Sequence, residues 1–301
     1  MSRVQLSRRL ETAAQWVPEG AHLCDVGTDH ATLPIWLLEQ GRLAGAIATD
    51  IRPGPLDRAR RNVERYGYAD QVQLRLCDGL AAVRPGEVDT VTICGMGGKM
   101  MISILEAAPW TTDGVTLILQ PMKAPGELRQ WLLHHGYTIQ EERTLWEEGH
   151  WYTLMLAHGG TDAVTLTPGR EEAGIPSRWR QGDDWQGYLE YLLARLHKQR
   201  TGLERSEKAA DPARLTYIQQ AEEELTRLRE QLMEGIIEKI PENKLLVIKD
   251  ATKNKKTEQV EYVSILLKFA KENAITLENM QQITEIDSVD ALNNIYSGYK
   301  S

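Results

Sequence analysis

This sequence of 301 residues is poor in cysteine and contains no long apolar run. A helix needs roughly 18 consecutive apolar residues to span a bilayer, and no segment approaches that length. Residues 1–9 are polar and lack the apolar core of a signal peptide, so we expect a cytoplasmic protein without a membrane partner. The three cysteines, Cys24, Cys77 and Cys94, show no C-x-x-C spacing, which argues against a disulfide framework or a zinc site. We predict buried free thiols and no metal.

Positive charge is outnumbered, since 35 Lys and Arg stand against 43 Asp and Glu, which gives a formal net charge of −8. The chain as a whole therefore does not attract nucleic acid, and an RNA partner would need a local basic surface. Charge runs on helices are more often faces that contact only solvent. The arginines that could form a basic surface crowd one predicted helix and the N-terminus: Arg52, Arg58, Arg60, Arg61 and Arg65, and Arg3, Arg8 and Arg9.

Short apolar runs alternate with helical patterns through the first half of the chain. The predicted strands are 21–26, 45–49, 72–76, 88–94, 115–119, 137–143 and 151–157. The predicted helices are 4–17, 31–40, 53–66, 99–107 and 127–135. This alternation predicts an α/β fold, a mostly parallel sheet with helices on both faces, and the short turn between the last two strands predicts an antiparallel hairpin.

The second half of the chain differs in pattern and composition. Residues 159–183 are rich in Gly, Thr and Pro and predict a linker, and two apolar helical stripes follow, which predict a helical hairpin. Arginine stops near Met233: 22 Arg and 4 Lys come before it, and no Arg and 9 Lys follow. In this last segment we predict a strand at 245–248 and a helix at 258–271. The predicted domains are 1–160, 161–232 and 233–301, the last without an assigned function.

Acidic residues follow three consecutive predicted strands: Asp25, Asp50 and Asp78. The carboxyl ends of parallel strands share one edge of a sheet, where ligands bind. A carboxylate after the second strand suits a ribose diol, and one after the third suits an exocyclic amine of adenine. The three acids therefore predict a cofactor that contains a nucleoside, with neighbouring residues joining its site: Gly27, Thr28, Ile51, Gly79 and Gly95.

The loop after the first strand decides which cofactor is expected. A strand, a glycine turn and a helix start place backbone N–H groups toward a ligand. A dinucleotide loop has G-x-G-x-x-G, but residues 27–32 read GTDHAT and lack the second and third glycines. Asp29 would repel a pyrophosphate but tolerates the cationic amino-acid end of S-adenosylmethionine. We therefore predict S-adenosylmethionine rather than a dinucleotide.

Four motifs carry a resemblance to a known family: LSRRL at 6–10, DVGTDHATLP at 25–34, GMGG at 95–98 and LQP at 119–121. Together they resemble the bacterial tRNA (adenine-22-N1)-methyltransferase family over residues 4–158, and more loosely to 232. Met122 stands where the family frequently has Asn. The resemblance implies a Rossmann-like class I methyltransferase fold, S-adenosylmethionine as donor, and N1 of adenosine 22 in tRNA as acceptor, with the C-terminal helices helping to hold the tRNA.

The resemblance also implies roles for the motif residues. Methylation at N1 makes the base cationic, and the charge spreads to N6, so a carboxylate near N6 would stabilise it. Asp29 is the predicted catalytic residue with His30 beside it, although both also fit structural roles at the start of a helix that begins near His30. The predicted substrate-binding residues are Arg8, Arg9, Met96, Gly97, Gly98, Gln120 and Pro121.

Other functions remain open at this point. The alternatives are a methyltransferase acting on another RNA or a small molecule, an NAD-dependent oxidoreductase, and a non-catalytic RNA-binding protein. No feature of the sequence indicates an obligate protein partner.

Overall fold

A computed structural model of the chain describes residues 4–205, 211–237, 246–248 and 284–286. Seven strands form its main sheet: β1 (Ala21–Val26), β2 (Leu43–Asp50), β3 (Val72–Leu76), β4 (Thr90–Gly97), β5 (Thr116–Lys123), β6 (Tyr137–Glu147) and β7 (His150–Gly159). Their order is β3-β2-β1-β4-β5-β7-β6. Strands β1 to β5 are parallel, and β7 pairs antiparallel with β5 and β6. The predicted α/β sheet and its terminal hairpin are confirmed.

Helices cover both faces of the sheet. They are α1 (Arg8–Ala14), α2 (Thr32–Glu39), α3 (Pro53–Tyr66), α4 (Gly98–Glu106), α5 (Pro125–His134), α6 (Pro168–Ala173), α7 (Trp185–Glu204) and α8 (Pro212–Ile237). One apolar core joins sheet residues such as Ile93 to Leu105 and Leu128 from α4 and α5. The other joins Leu23 of β1 to apolar residues of α2 and α3, such as Leu37. This two-sided burial explains why the central strands are continuous apolar runs.

Local residues determine where α3 begins and ends. Pro53 occupies the first turn, where its missing N–H costs nothing, and Gly67 ends the helix with φ +81°. The predicted range 53–66 is confirmed. Helix α2 begins one residue later than predicted, at Thr32, because Ala31 adopts a left-handed conformation with φ 52°.

Several predicted boundaries are wrong: the predicted helix 4–17 is only Arg8–Ala14, and several strands end up to four residues later than predicted. Strand β4 continues to Gly97 rather than ending at Cys94, because it keeps pairing with β5 through two irregularities.

The segment 159–183 is not a plain linker, since it forms α6 and a short 3-10 helix and buries Ala173 and Ile175. Hydrogen bonds with Arg129 and Glu142, far away in the sequence, hold this segment in place. Its amino-acid composition gave no sign of these bonds.

The helices α7 and α8 follow the predicted apolar stripes. Asp184 caps α7 by accepting a hydrogen bond from the Gly187 N–H at 2.8 Å, and Asp211 accepts one from Ala213 at 3.0 Å. An ion pair of 2.7 Å between Arg200 and Glu222 joins the two helices.

The chain divides into two compact units, Met1–Arg229 and Glu230–Ser301. In the second unit, β8 (Leu246–Ile248) pairs in parallel with β9 (Thr284–Ile286). The predicted helix at 258–271 lies outside the described residues. The three-domain division made from the sequence stays a prediction.

The three cysteines are free thiols. Cys24 is buried, whereas Cys77 and Cys94 are half-buried, so the prediction of burial holds fully only for Cys24. Burial raises the pKa of the Cys24 thiol, and it raises that of Cys94 to about 12. Both thiols are therefore protonated at neutral pH. Across the described residues, no helix is long and apolar enough to cross a membrane.

Candidate active site

The carboxyl edge of the sheet brings the predicted acidic residues together. Asp25 is the penultimate residue of β1, and Asp50 is the last residue of β2. Both residues are buried, with 8% and 6% of their surface exposed to solvent. Asp78 follows the end of β3 by two residues and is exposed. One edge therefore carries two enclosed carboxylates and one open carboxylate.

Asp25 is held by threonines. The Thr92 hydroxyl of the adjacent strand β4 donates to Asp25 Oδ1 at 2.9 Å, and Asp25 pairs with Thr92 in the parallel register. Burial raises the pKa of Asp25 to about 6, and the hydrogen bonds from Thr28 and Thr92 oppose the shift. A buried carboxylate with this pKa gains much from a nearby cation, because the cation offsets the loss of hydration.

The loop after β1 does not present its first N–H groups to a ligand. The N–H groups of Gly27 and Thr28 both donate to the Thr49 carbonyl oxygen, at 2.8 and 2.9 Å. The expectation that these two N–H groups face a cofactor is therefore wrong, because they link β1 to β2. Glycine is favoured at position 27 for another reason: its φ is +74°, a left-handed conformation that side chains rarely adopt, and a Cβ there would also displace the end of the Met96 side chain.

Asp50 lies beside an unusual apolar surface. The backbone N–H of Arg52 donates to Asp50 Oδ1 at 2.7 Å, which leaves Oδ2 available to a ligand. Ile51 is 61% exposed and Leu76 is 60% exposed, although both are large apolar side chains. The loop after β3 is tied to β2, because the Gly79 carbonyl oxygen accepts a hydrogen bond from the Thr49 hydroxyl at 2.9 Å.

Asp29 and His30 are both exposed and contact each other. The Asp29 Oδ2 atom lies 3.1 Å from His30 Nε2, and Oδ1 accepts a hydrogen bond of 3.0 Å from Arg58 Nε. Neither residue caps α2, whose N-cap is Ala31 and has no side-chain cap. The alternative of a helix-capping Asp29 is therefore wrong. The Arg58 hydrogen bond holds the pKa of Asp29 below its usual range.

The predicted glycine turn after β4 is partly strand. Gly97 still pairs with Lys123 of β5, and α4 begins at Gly98. A Cβ at Gly98 would lie 2.5 Å from the Ala124 carbonyl oxygen, so close contact between backbones requires this glycine. Gly95 has φ +83°, and its N–H donates to another predicted residue.

That residue is Gln120, which joins the N-terminal helix to the site. Its Oε1 accepts a 3.1 Å hydrogen bond from the Gly95 N–H and a 2.9 Å hydrogen bond from Arg9 NH1. Gln120 is fully buried, and its Nε2 is 3.5 Å from Met122 Sδ. Gln120 therefore joins Arg9, another predicted substrate residue, to Gly95, a predicted cofactor residue.

Of the remaining predicted substrate residues, Met96 and Pro121 lie beside this junction and Arg8 does not. Met96 packs against Gly27 and links the two loops, and the buried Pro121 pairs with Met96 in the sheet. Arg8 instead contacts the β6–β7 hairpin, where its N–H donates to Glu147 Oε1 at 2.6 Å and its guanidinium to the Trp146 carbonyl.

Sequence reasoning missed three supporting residues: Thr92, Arg58 and Asn62. Thr92 lies inside the apolar run of β4, and a buried hydroxyl needs a hydrogen-bond partner. This was a weak signal that its side chain contacts a polar group. Arg58 was assigned only to a general basic surface. Asn62, which donates to the His30 carbonyl oxygen at 2.9 Å, gave no signal at all.

In the parts of the chain that the structure describes, no group of three or more His, Cys, Asp or Glu side chains is placed to hold a metal ion. The prediction of a metal-free reaction stays a prediction.

Comparisons with known proteins agree with this geometry. A methyltransferase domain model matches residues 6–155. The tRNA (adenine(22)-N(1))-methyltransferase of Bacillus subtilis (strain 168) is 38% identical over 175 residues, which cover 56% of this chain and 74% of that protein.

Two solved structures are also similar. The crystal structure of the B. subtilis m1A22 tRNA methyltransferase TrmK matches with a TM-score of 0.67 and 30% identity, covering 75% of this chain and 99% of that one. The structure of M. capricolum TrmK in complex with S-adenosylhomocysteine matches with a TM-score of 0.64 and 28% identity, covering 75% and 98%.

The sheet order, the carboxylates at its carboxyl edge and these relatives lead to one assignment. The chain belongs to the tRNA (adenine(22)-N(1))-methyltransferase family, whose fold is that of the S-adenosylmethionine-dependent class I methyltransferases.

Proposed function

We propose that this chain transfers a methyl group from S-adenosylmethionine to N1 of adenosine 22 in tRNA, and that it does so in the cytoplasm, where tRNA is modified. The position of Asp29 supports the proposal most directly. This ionised, exposed carboxylate lies in the loop after the strand that carries the buried Asp25, so an acid open to a substrate and an acid suited to the cofactor are only four residues apart.

The carboxyl edge fits S-adenosylmethionine. Asp25 would hold the ammonium group of the amino-acid end, and Asp50 Oδ2 would accept hydrogen bonds from the ribose hydroxyls. Ile51 and Leu76 would offer their exposed apolar surface to the purine, with Asp78 and Gly79 at its edge. Bound S-adenosylmethionine supplies a methyl group activated by its sulfonium. Thr28 contributes through Asp25, because its hydrogen bond favours the ionised carboxylate.

The chain's own residues have a limited chemical task. N1 of adenine carries an in-plane lone pair and attacks without losing a proton, so alignment supplies much of the rate enhancement. Positive charge then develops on the ring and reaches N6. The Asp29 carboxylate would stabilise this charge through a hydrogen bond from N6 and could accept a proton afterwards. His30, in contact with Asp29, would help to hold that carboxylate.

The glycine segment and Gln120 would form the base side of the site. Gly95 and Gly97 would let the backbone approach the base closely. The hydrogen bond from the Gly95 N–H to Gln120 would hold Gly95 in position. A target adenine stacked in folded tRNA would have to swing out to reach this position.

The exposed face of α3 is the surface we propose for the tRNA backbone. Arg60, Arg61 and Arg65 are exposed there, with Arg52 just before the helix. By contrast, three arginines of the α7–α8 hairpin, Arg195, Arg200 and Arg227, are paired with acids. A role of the hairpin in tRNA binding stays a prediction.

The direct test is incubation with labelled S-adenosylmethionine and an unmodified tRNA transcript, followed by nucleoside analysis. We expect 1-methyladenosine from a transcript with adenosine at position 22 and none from a matched transcript with guanosine there. Methylation of both transcripts would move the target to another nucleoside. Absence of methylation beside an active control would overturn the proposal and favour another RNA or a small-molecule acceptor.

Replacing Asp50 with alanine is expected to weaken binding of S-adenosylmethionine about 30-fold, because hydrogen bonds to a charged group each contribute about 1.5–3 kcal/mol. Isothermal titration calorimetry measures the effect. Asp57→Ala is the matched control, since Asp57 is an exposed carboxylate on α3, and it should change affinity less than about twofold. Equal losses in the two variants would remove Asp50 from the site.

Cofactor affinity is expected to fall at acidic pH because of Asp25. Its pKa of about 6 means that it becomes protonated below pH 6 and loses its attraction for an ammonium group. Between pH 7.5 and pH 5 the affinity for S-adenosylmethionine should fall about 10-fold, because at pH 5 only about a tenth of the Asp25 carboxylates remain ionised. Calorimetry at both pH values, with Asp25→Asn as the comparison, tests this. An equally steep fall in the variant would assign the pH dependence to another group.

A further inference from the structure

Two side chains of helix α3, Arg58 and Asn62, lie one helical turn apart and both contact the dipeptide Asp29-His30. The Arg58 Nε donates to Asp29 Oδ1 at 3.0 Å, and the terminal nitrogen of the same guanidinium also reaches Oδ1. The Asn62 amide donates to the His30 carbonyl oxygen at 2.9 Å. Residues four apart on a helix share a face, so the two contacts act from one surface. We call this pair the α3 clamp.

The loop needs support of this kind. Ala31, the next residue, has φ 52°, a left-handed conformation that costs a non-glycine residue about 1 kcal/mol or more. Asp29 itself has 57% of its side chain exposed, so packing does not fix its rotamer. The α3 clamp therefore supplies the polar contacts that hold the carboxylate and the following backbone together.

We propose that Arg58 and Asn62 are positioning residues, which hold the Asp29 carboxylate in the orientation that accepts the N6 amine of the target adenine. This inference rests on the proposed function and assigns to the clamp a role in the methyl-transfer step. Each carboxylate oxygen has two lone pairs, so Oδ1 and Oδ2 keep accepting capacity beside Arg58 and His30.

The charges around Asp29 are consistent with this role. Arg58, His30 and Arg52 all face the carboxylate, and they lower its pKa, with the Arg58 hydrogen bond as the largest cause. Asp29 is thus ionised at neutral pH with or without Arg58. Removing Arg58 would change the orientation of the carboxylate more than its charge.

A competing role for Arg58 is contact with a tRNA phosphate, as proposed for its neighbours on α3. The two roles differ in what they require of the base. A phosphate contact is indifferent to the N6 amine, whereas positioning of Asp29 matters only when that amine is present. A tRNA assembled with purine riboside at position 22, which keeps N1 but lacks N6, separates them.

The experiment compares single-turnover methyl transfer by the full-length wild type and Arg58→Gln on both tRNAs. With adenosine at position 22 we expect Arg58→Gln to be about 10-fold slower, since misplacement of a catalytic group by about 1 Å costs up to 100-fold. With purine riboside the two proteins should differ less than about twofold. Asn62→Leu should follow the same pattern with a smaller loss.

Two further variants make the result interpretable. Arg61→Gln removes an exposed arginine from the same helix, and it should slow both substrates by the same factor. Arg58→Lys keeps the charge without the planar fork, so we expect it to recover only part of the rate on adenosine. Calorimetry with S-adenosylmethionine confirms that each variant is folded.

Equal slowing of both substrates by Arg58→Gln would overturn the inference and assign Arg58 to the tRNA backbone. An unchanged rate on adenosine would also overturn it. If the wild type itself forms no 1-methyladenosine, the proposed function fails, and that result is distinct from either outcome for the clamp.

Discussion

Replacing Asp29 with asparagine is expected to slow methyl transfer to tRNA about 100-fold, the loss typical of removing one group that stabilises transition-state charge. Binding of S-adenosylmethionine should change less than about twofold. Asparagine keeps the size of aspartate and part of its hydrogen bonding, but it has no negative charge to offset the cation that forms on adenine. The variant therefore tests charge rather than shape.

Single-turnover kinetics at saturating cofactor measure the rate, and calorimetry measures cofactor affinity. Asp57→Asn is a suitable control, because it neutralises an exposed carboxylate on α3 without touching the loop after β1. If Asp29→Asn loses cofactor affinity and rate in parallel, Asp29 belongs with Asp25 and Asp50 on the cofactor side. An unchanged rate would contradict the catalytic role altogether.

The second large effect is expected on stability, at the buried ion pair between Arg129 of α5 and Glu142 of β6. Both side chains are fully buried, and Arg129 Nε donates to Glu142 Oε2 at 2.6 Å. Arg129 also donates to the Glu171 carbonyl at 2.8 Å, and Glu142 accepts the Ile175 N–H at 2.7 Å. The pair therefore joins the sheet to the segment after β7.

Arg129→Met should lower the free energy of unfolding by about 3–5 kcal/mol, because it leaves the Glu142 carboxylate buried without its partner. Denaturation in urea, followed by tryptophan fluorescence, measures the change. The double variant Arg129→Met with Glu142→Leu should recover much of the loss, since no unpaired charge then remains.

The adjacent residue of β6 provides the control for this prediction. Glu141 pairs with Arg180, whose side chain is 56% exposed, at 3.3 Å. Arg180→Met should cost less than about 1 kcal/mol, because solvent already screens that pair. Similar losses for Arg129→Met and Arg180→Met would show that burial does not set the contribution of the Arg129–Glu142 pair.

Elements whose ends depend on local chemistry were predictable. Helix α3 has Pro53 at its start and Gly67 at its end, and both act through their own backbone preferences. The strands β1, β2, β4 and β5 were predictable as largely buried apolar runs separated by helices. The α7 and α8 stripes were predictable for the same reason, since a periodic apolar face needs only the sequence to be seen.

Elements whose form depends on distant partners were not predictable. Gly95 and Gly97 favour a turn by local preference, yet the pairing of Gly97 with Lys123 extends β4. The segment 159–183 has the composition of a linker, yet Arg129 and Glu142 bind the backbone at Glu171 and Ile175. In each case hydrogen bonds across the fold outweighed the local preference.

The sequence by itself determined that three acids lie at or just after the ends of three strands predicted to be parallel, and it therefore predicted a nucleoside-containing cofactor at their shared edge. It also determined that the loop after β1 is acidic and unsuited to a pyrophosphate. These conclusions follow from residue type and order, because parallel strands always align their carboxyl ends.

Only the tertiary structure decided the environment of each carboxylate. Asp25 is buried against Thr92, 67 residues away, and Asp29 is exposed and held by Arg58, 29 residues away. Ionisation and orientation depend on burial and on partners within about 3 Å, and packing between elements sets both. Two aspartates only four residues apart thus have opposite environments, and this difference supports the proposed roles of Asp25 toward the cofactor and Asp29 toward the substrate.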